Sequence, residues 1–335
     1  MQKEMKQTRY LMLDQPTNGK QGRWMHLAYK GMAMLYQWAW RISPKKRDMA
    51  ERQYKVSIGA IFKNEALYLK EWIEFHRIVG VEHFYLYNNN SDDNYREVLE
   101  PYIKRNIVTL VDWPKNQAQI EAYKDCIHKY AKETRWMGFV DIDEFVVPRK
   151  TDNIYDFLQA FENKYGAVKL YWRMYGTSGH MARDVKGLVT EDFTVCWSKY
   201  YDVGKCFYNT AFGFDEKSPK NDYLHHNLWT NNGRRNLPPV NIFGKVCFGD
   251  VNVIPTAEFP IQINHYFTKS YQEYAWKRAK GDVYFKVNPH DEEYFYNHEK
   301  WCEATDYAAY RYLVKLKHAM AQGQQPVSAE DEQEI

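Results

Sequence analysis

The stretch GFVDIDEFVVP, Gly138 to Pro148, sets three carboxylates into an apolar run. Asp141, Asp143 and Glu144 would each be costly in a core unless paired, protonated or bound to a cation. The flanking text reads as buried strand. An acidic break at the end of such a strand predicts an α/β sheet edge where polar groups collect.

Working outward, the chain from Val56 alternates strand-like and helix-like segments. VSIGAIF, HFYLY, IVTLV, WMGFV and GAVKLYW read as strands. Helical periodicity falls after Asn64, before Tyr102, over Gln117 to Lys132 and over IYDFLQAFENKY. Near-continuous apolar strands alternating with helices predict a mostly parallel, Rossmann-like sheet covered on both faces. The expected strand ends are Lys63, Asn64 and Glu65, then Asn88 to Asp93, then Asp112, then Asp141 to Glu144. These polar groups converge on one edge. After Tyr175 the text loosens into Gly-, Asn-, Tyr- and Trp-rich loops until about Pro260. A strand then leads into a helix from Tyr271 to Lys280, and a last amphipathic helix is expected around Ala304 to Ala319. The tail from 321 to 335 is polar, acidic and expected to be disordered.

The 335 residues, 44% hydrophobic, suffice for a large core. Net charge is +3, but residues 1–55 hold 12 Lys/Arg against four acids. A basic leader on a mildly acidic body points to an anionic surface touching the leader alone, and no nucleic-acid groove is expected. Within it, RWMHLAYKGMAMLYQWAWR (Arg23 to Arg41) is short for a membrane span. As a helix it gathers Arg23, His26, Lys30, Gln37 and Arg41 on one polar stripe, which suits either a helix in a membrane interface or one packed on protein. Five scattered cysteines without a C-x-x-C fit a reducing, cytoplasmic compartment, peripheral at the inner membrane face.

If the backbone stays extended through D-I-D, Asp141 and Asp143 point to one side. They would form an oxygen-rich seat for Mn²⁺ or Mg²⁺, whose open positions a diphosphate can fill. P-loop, dinucleotide and G-x-S-x-G signatures are absent. Metal-dependent nucleotidyl transfer or pyrophosphate cleavage would use the same seat, and a non-catalytic carbohydrate-binding protein is a third reading.

FKNEALYLKEWIEFHRIVGVEHFYLYNNNSDD, QIEAYKDCI, WMGFVDIDEF, WRMYGTSG and INHYFTKSYQEYAWKRAKGD occur in this order. Together they resemble glycosyltransferase family 92, related to family 2 enzymes, over about Val56 to Asp282. The resemblance implies a GT-A fold, a UDP-sugar donor (often UDP-galactose), a divalent cation and inversion at the anomeric carbon. It implies Asp141, Asp143 and His265 at the metal, with Asp143 the more direct ligand. Lys63, Asn64, Glu65, Asn88, Asn90, Ser91, Asp141, Lys205 and Lys269 would lie on the donor side. Asn88 stands where the family usually has an acid. Trp172, Gly176, His225 and His226 would lie on the acceptor side. Glu191, with Asp192 second, is the expected catalytic base. The transferase domain is expected over 56–320, with a donor half to about 150, an acceptor half over 151–285 and helices over 286–320. The acceptor would be a glycan or glycolipid, as in polysaccharide or lipopolysaccharide synthesis.

Overall fold

The computed structural model describes residues 11–12, 20–42, 48–249, 251–254, 258–280 and 290–322. Much of the expected leader and nearly all of the expected disordered tail lie outside them.

Strand β1 (Tyr54–Phe62), helix α2 (Ala66–Ile78), β2 (His83–Asn88), α3 (Tyr95–Lys104), β3 (Val108–Asp112), α4 (Gln119–Tyr130) and β4 (Thr134–Phe139) follow the expected alternation. Helix α1 (Lys20–Ile42) precedes them. Strands β3, β2, β1 and β4 pair side by side, all parallel. In β1, β2 and β4 nearly all residues are buried, because helices cover both faces and leave no polar side to alternate with, while β3 at the sheet edge is mostly half-buried.

The second half is mixed. Here β5 (Glu144–Pro148), α5 (Ile154–Glu162), β6 (Ala167–Met174), α6 (Val189–Asp192), β7 (Tyr200–Asn209) and β8 (Ile261–His265) complete the sheet. The order continues β4–β7–β6–β8–β5. Strand β7 is antiparallel to both neighbours, and β5 is antiparallel to β8. The sequence reading placed β7 in a loop region. Its text, YYDVGKCFYN, mixes Asp202, Lys205 and Asn209 among the apolar residues, so no apolar run marks it. It is nonetheless at the centre of the sheet. Because β7 reverses direction between β4 and β6, the carboxyl ends of β6 and β8 return to the edge where β1 to β4 end. This is the α/β arrangement expected, with antiparallel pairs in its second half.

Helices α7 (Tyr271–Lys280), α8 (Glu292–Lys300) and α9 (Tyr310–Gln322) close the chain. The last helix begins later than expected, since Ala304–Thr305 instead pairs as a short strand with Val195–Cys196. Helix α1 also differs from expectation. Gln37, assigned to a polar outer stripe, turns inward: its Nε2 donates to the Gly244 carbonyl (3.1 Å) and its Oε1 accepts from the Val246 amide (2.8 Å). Trp40 is buried beside it, donating to the Pro238 carbonyl.

Candidate active site

The acidic stretch is a turn, not an extended strand. Strand β4 stops at Phe139, and the Glu144 amide donates back to the Asp141 carbonyl at 3.0 Å before β5 begins. The Trp72 indole N–H bonds both carbonyls, of Asp141 (3.0 Å) and Glu144 (2.9 Å), and so staples the turn to α2. The two aspartates therefore take different partners rather than one shared side.

Asp141 accepts Lys205 Nζ on Oδ2 (2.6 Å) and Gln119 and Tyr123 of α4 on Oδ1 (3.2 and 3.1 Å). Asp143 accepts Lys277 Nζ of α7 on Oδ2 (2.6 Å), and its Oδ1 lies 3.6 Å from His265 Nε2. Burial opposes its charge, yet Lys277, His265 and Lys269 hold its carboxyl well below the usual carboxylate range. Glu144 is fully buried, with Oε1 3.6 Å from Lys205 Nζ and 3.9 Å from His265 Nδ1. Burial, with Asp141 and Asp143 nearby, pushes its carboxyl up, against the pull of Lys205.

His265 arrives by register. Strand β8 pairs with β5 so that His265 opposes Glu144, and the Tyr266 amide donates to the Asp143 carbonyl at 2.9 Å. Its ring lies 4.5 Å from that of Trp172, centroid to centroid. Lys205 is 1% exposed and its Nζ stands 5.7 Å over Trp172. His226 meets Trp172 edge-on and bonds the Gly204 carbonyl, and His225 packs against His226. Burial drives the His226 pKa down to about 3, with Lys205 adding to the effect, so His226 is neutral near pH 7.

Carboxylate oxygens are the donor type that holds Mn²⁺ or Mg²⁺. Asp143 Oδ1 and His265 Nε2 stand 3.6 Å apart, and Glu144 Oε1 and His265 Nδ1, 3.9 Å apart, are buried without a hydrogen-bond partner, so this corner offers donors that a cation could take. Two ammonium groups already sit on Asp141 and Asp143. Among the described residues, three ligand atoms within 4.8 Å of one another occur instead at His298, Glu299 and Cys302. That trio is a structural clamp. Glu299 accepts the Thr177 amide and hydroxyl, and His298 bonds the Tyr175 carbonyl. A Cβ at Gly176 would lie 2.5 Å from Cys302 Sγ, so Gly176 shapes this turn by being small.

The donor-side residues form a braced loop pair. The Asn64 amide donates to Ser91 Oγ, and Asn64 Oδ1 accepts the Asp92 amide. Asp93 accepts the Ala66 amide at the start of α2, the residue after Glu65. Asn88 Nδ2 bonds Tyr95 and Asp112 while its Oδ1 accepts the Ser91 amide. Asn64 and Asn90 take positive φ (53° and 55°), which Asn tolerates better than most residues. Lys63 leads into this loop from β1.

The two base candidates part company. Glu191 lies at the surface, 2.5 Å from Lys317 of α9. Asp192 is half-buried, and burial raises its carboxyl pKa against the pull of Arg183 and His180. Sequence reasoning missed what holds this segment. Buried Glu71 of α2 accepts the amides of Val189 and Thr190 (2.8 and 2.9 Å). Arg183 lies 3.8 Å from Glu71 and 3.7 Å from Glu273, with Tyr68 bonded to Glu273 (2.7 Å) and Lys269 Nζ 4.3 Å over the Tyr68 ring. The signal was weak: Glu71 and Glu273 read in sequence as ordinary acids of amphipathic helices.

Residues 52–212 match the model of glycosyltransferase family 92. A glycosyltransferase family 92 protein of Oryza sativa subsp. japonica is 30% identical over 142 residues, 42% of this chain and 24% of that one. Galactan beta-1,4-galactosyltransferase GALS3 of Arabidopsis thaliana is 32% identical over 105 residues, 28% of this chain and 21% of that one. Beta-1,4-galactosyltransferase galt-1 of Caenorhabditis elegans is 31% identical over 112 residues, 29% of this chain and 26% of that one. The chain thus spans about a quarter of the length of these relatives. Among solved structures, S. aureus TarS 1-349 aligns at TM-score 0.34 and 14% identity, covering 56% of this chain and 60% of that one.

Proposed function

Because residues 52–212 belong to glycosyltransferase family 92, we propose that the protein transfers a hexose, galactose foremost, from a UDP-sugar to a hydroxyl of a glycan or glycolipid. The observation that carries this reading is the meeting of Asp141, Asp143, His265, Lys205 and Lys277 at the carboxyl edge of the sheet. A galactosyl donor is supported by the galactosyltransferases among the relatives.

Asp143 and His265, with Asp141, would hold a divalent cation. Bound there, it supplies positive charge to the diphosphate as the glycosidic bond breaks. Lys277, Lys269 and Lys205 add cationic side chains to the same edge, so the leaving UDP is drawn into a positive, largely water-excluded seat. Trp172 with His226 forms the wall for the sugar or acceptor. In the reaction the acceptor oxygen attacks C1, the bond from C1 to the diphosphate oxygen breaks, and the acceptor proton passes to the Asp192 carboxylate. Attack opposite the leaving group inverts C1.

The test is UDP release from purified protein with a panel of UDP-sugars and a β-linked galactan or other glycan, with Mn²⁺ or Mg²⁺. Glycoside and UDP are expected, and UMP or sugar phosphate would instead indicate cleavage of the diphosphate. No glycoside from any donor–acceptor pair, with a folded protein, overturns the reading.

A further inference from the structure

Helix α1 is amphipathic in the reverse sense for a surface helix. Its inward face carries Tyr29, Tyr36, Gln37 and Trp40. Tyr29 packs edge-on to Phe248, Tyr36 to Trp229, and Trp40 to Tyr165 and Phe212. With the Gln37 and Trp40 hydrogen bonds, these contacts fix the helix to the body and fix which face points out. The outward face is apolar: Trp24, Leu27, Met34, Leu35, Trp38 and Ile42 are each more than half exposed. Spaced by three, four or seven residues, with Gly31 completing the series, they form one stripe about 27 Å long at 1.5 Å per residue. Exposed Lys30 and Arg41 lie along its flank. A patch of this kind on a folded body marks a binding surface.

We propose that this stripe seats the protein on an anionic lipid surface, with α1 lying in the plane of the interface. Three features select lipid. No described helix is long and apolar enough to cross a membrane, so the helix can lie on a bilayer but not span it. Two tryptophans and a methionine are side chains suited to the headgroup boundary. Lys30 and Arg41, in a segment holding 12 Lys/Arg against four acids, complement anionic headgroups. The placement has a consequence. Tyr165 and Phe212, which hold Trp40, stand just before β6 starts and just after β7 ends, at the edge of the sheet opposite Asp141 and Asp143. The docking face and the carboxylate edge are therefore at opposite ends of the strands. This inference does not depend on glycosyl transfer.

The test uses the full chain and sedimentation with vesicles of phosphatidylcholine containing 30 mol% phosphatidylserine, against pure phosphatidylcholine. Wild type is expected to sediment at least tenfold more with the anionic vesicles, and raised salt should weaken the binding. Trp24→Ser/Leu35→Ser/Trp38→Ser should abolish sedimentation while shifting the thermal midpoint little, since these side chains are mostly exposed. Lys30→Gln/Arg41→Gln should reduce it several-fold. Absence of wild-type sedimentation, or equal sedimentation of the triple variant, overturns the proposal. So does a wild-type dimer by light scattering that the triple variant loses while neither protein binds vesicles, which would assign the stripe to a second copy.

Discussion

Lys277 Nζ lies 2.6 Å from Asp143 Oδ2, joining α7 to the β4–β5 turn across 134 positions of chain. The carboxylate proposed for the cation is thus already ionised and already balanced. Asp143→Asn keeps the shape and removes the charge. UDP release is expected to fall about 100-fold or more, in the range seen when a transition-state charge partner is lost. The thermal midpoint should fall only modestly, because the Tyr266 amide bonds the backbone carbonyl of Asp143, not its side chain. Conversely, Lys277→Met should lower the Mn²⁺ concentration giving half-maximal activity and raise the donor KM.

Lys205 is a different case. Its ammonium is buried between Asp141 and Glu144. Lys205→Met would leave two carboxylates facing each other without a cation. Breaking a buried pair in this way costs about 3–5 kcal/mol, so a large drop in urea midpoint is expected. Glu144→Gln removes one of the two facing carboxyl groups and should restore part of that stability in the double variant.

Glu191 and Asp192 can be separated by pH. Glu191→Gln should change turnover less than about threefold, since it breaks only a surface pair with Lys317. Asp192→Asn should lower kcat/KM at least about 100-fold. Burial raises the Asp192 pKa above 3.8, and a base acts when deprotonated. The acid limb of kcat/KM should therefore rise with pH through a pKa above the ordinary aspartate value, and that limb should vanish from the residual rate of Asp192→Asn.

His76 gives stability its own pH dependence. Its ring bonds the Trp72 carbonyl and accepts the Val146 amide, and burial lowers its pKa to about 3. Above pH 6.5 both folded and unfolded states are neutral and the full stability is present. As pH falls from 6.5 toward 3, the unfolded chain binds a proton that the folded one refuses. Stability then drops by up to about 1.4 kcal/mol per pH unit. Urea unfolding at pH 7.5 and 5.5 should show a smaller difference for His76→Gln than for wild type.

The parallel half of the sheet was legible because its strands are apolar runs closed by polar ends, and the acidic break marked the edge directly. Strand β7 was not, since a strand that carries Lys205 into the site cannot be uniformly apolar. Nor did helical periodicity reveal that Gln37 faces inward, because backbone groups of the Gly244 to Val246 turn satisfy its amide. The D-I-D turn escaped for a related reason: its bend depends on the Trp72 indole, 69 positions from Asp141. Residues such as Glu71 and Arg183 acquire meaning from partners more than 100 positions away, which spacing along the chain does not encode.

The pairing of β5 with β8 sets Glu144 against His265 and Pro148 against Ile261. Side chains alternate faces along a strand, so a slip of one residue would turn His265 away from Asp143 and present Asn264 or Tyr266 instead. Deleting one residue within either strand should therefore be as damaging as replacing the histidine. The two five-residue strands therefore tolerate no insertion or deletion between Glu144 and Pro148 or between Ile261 and His265 without losing this register.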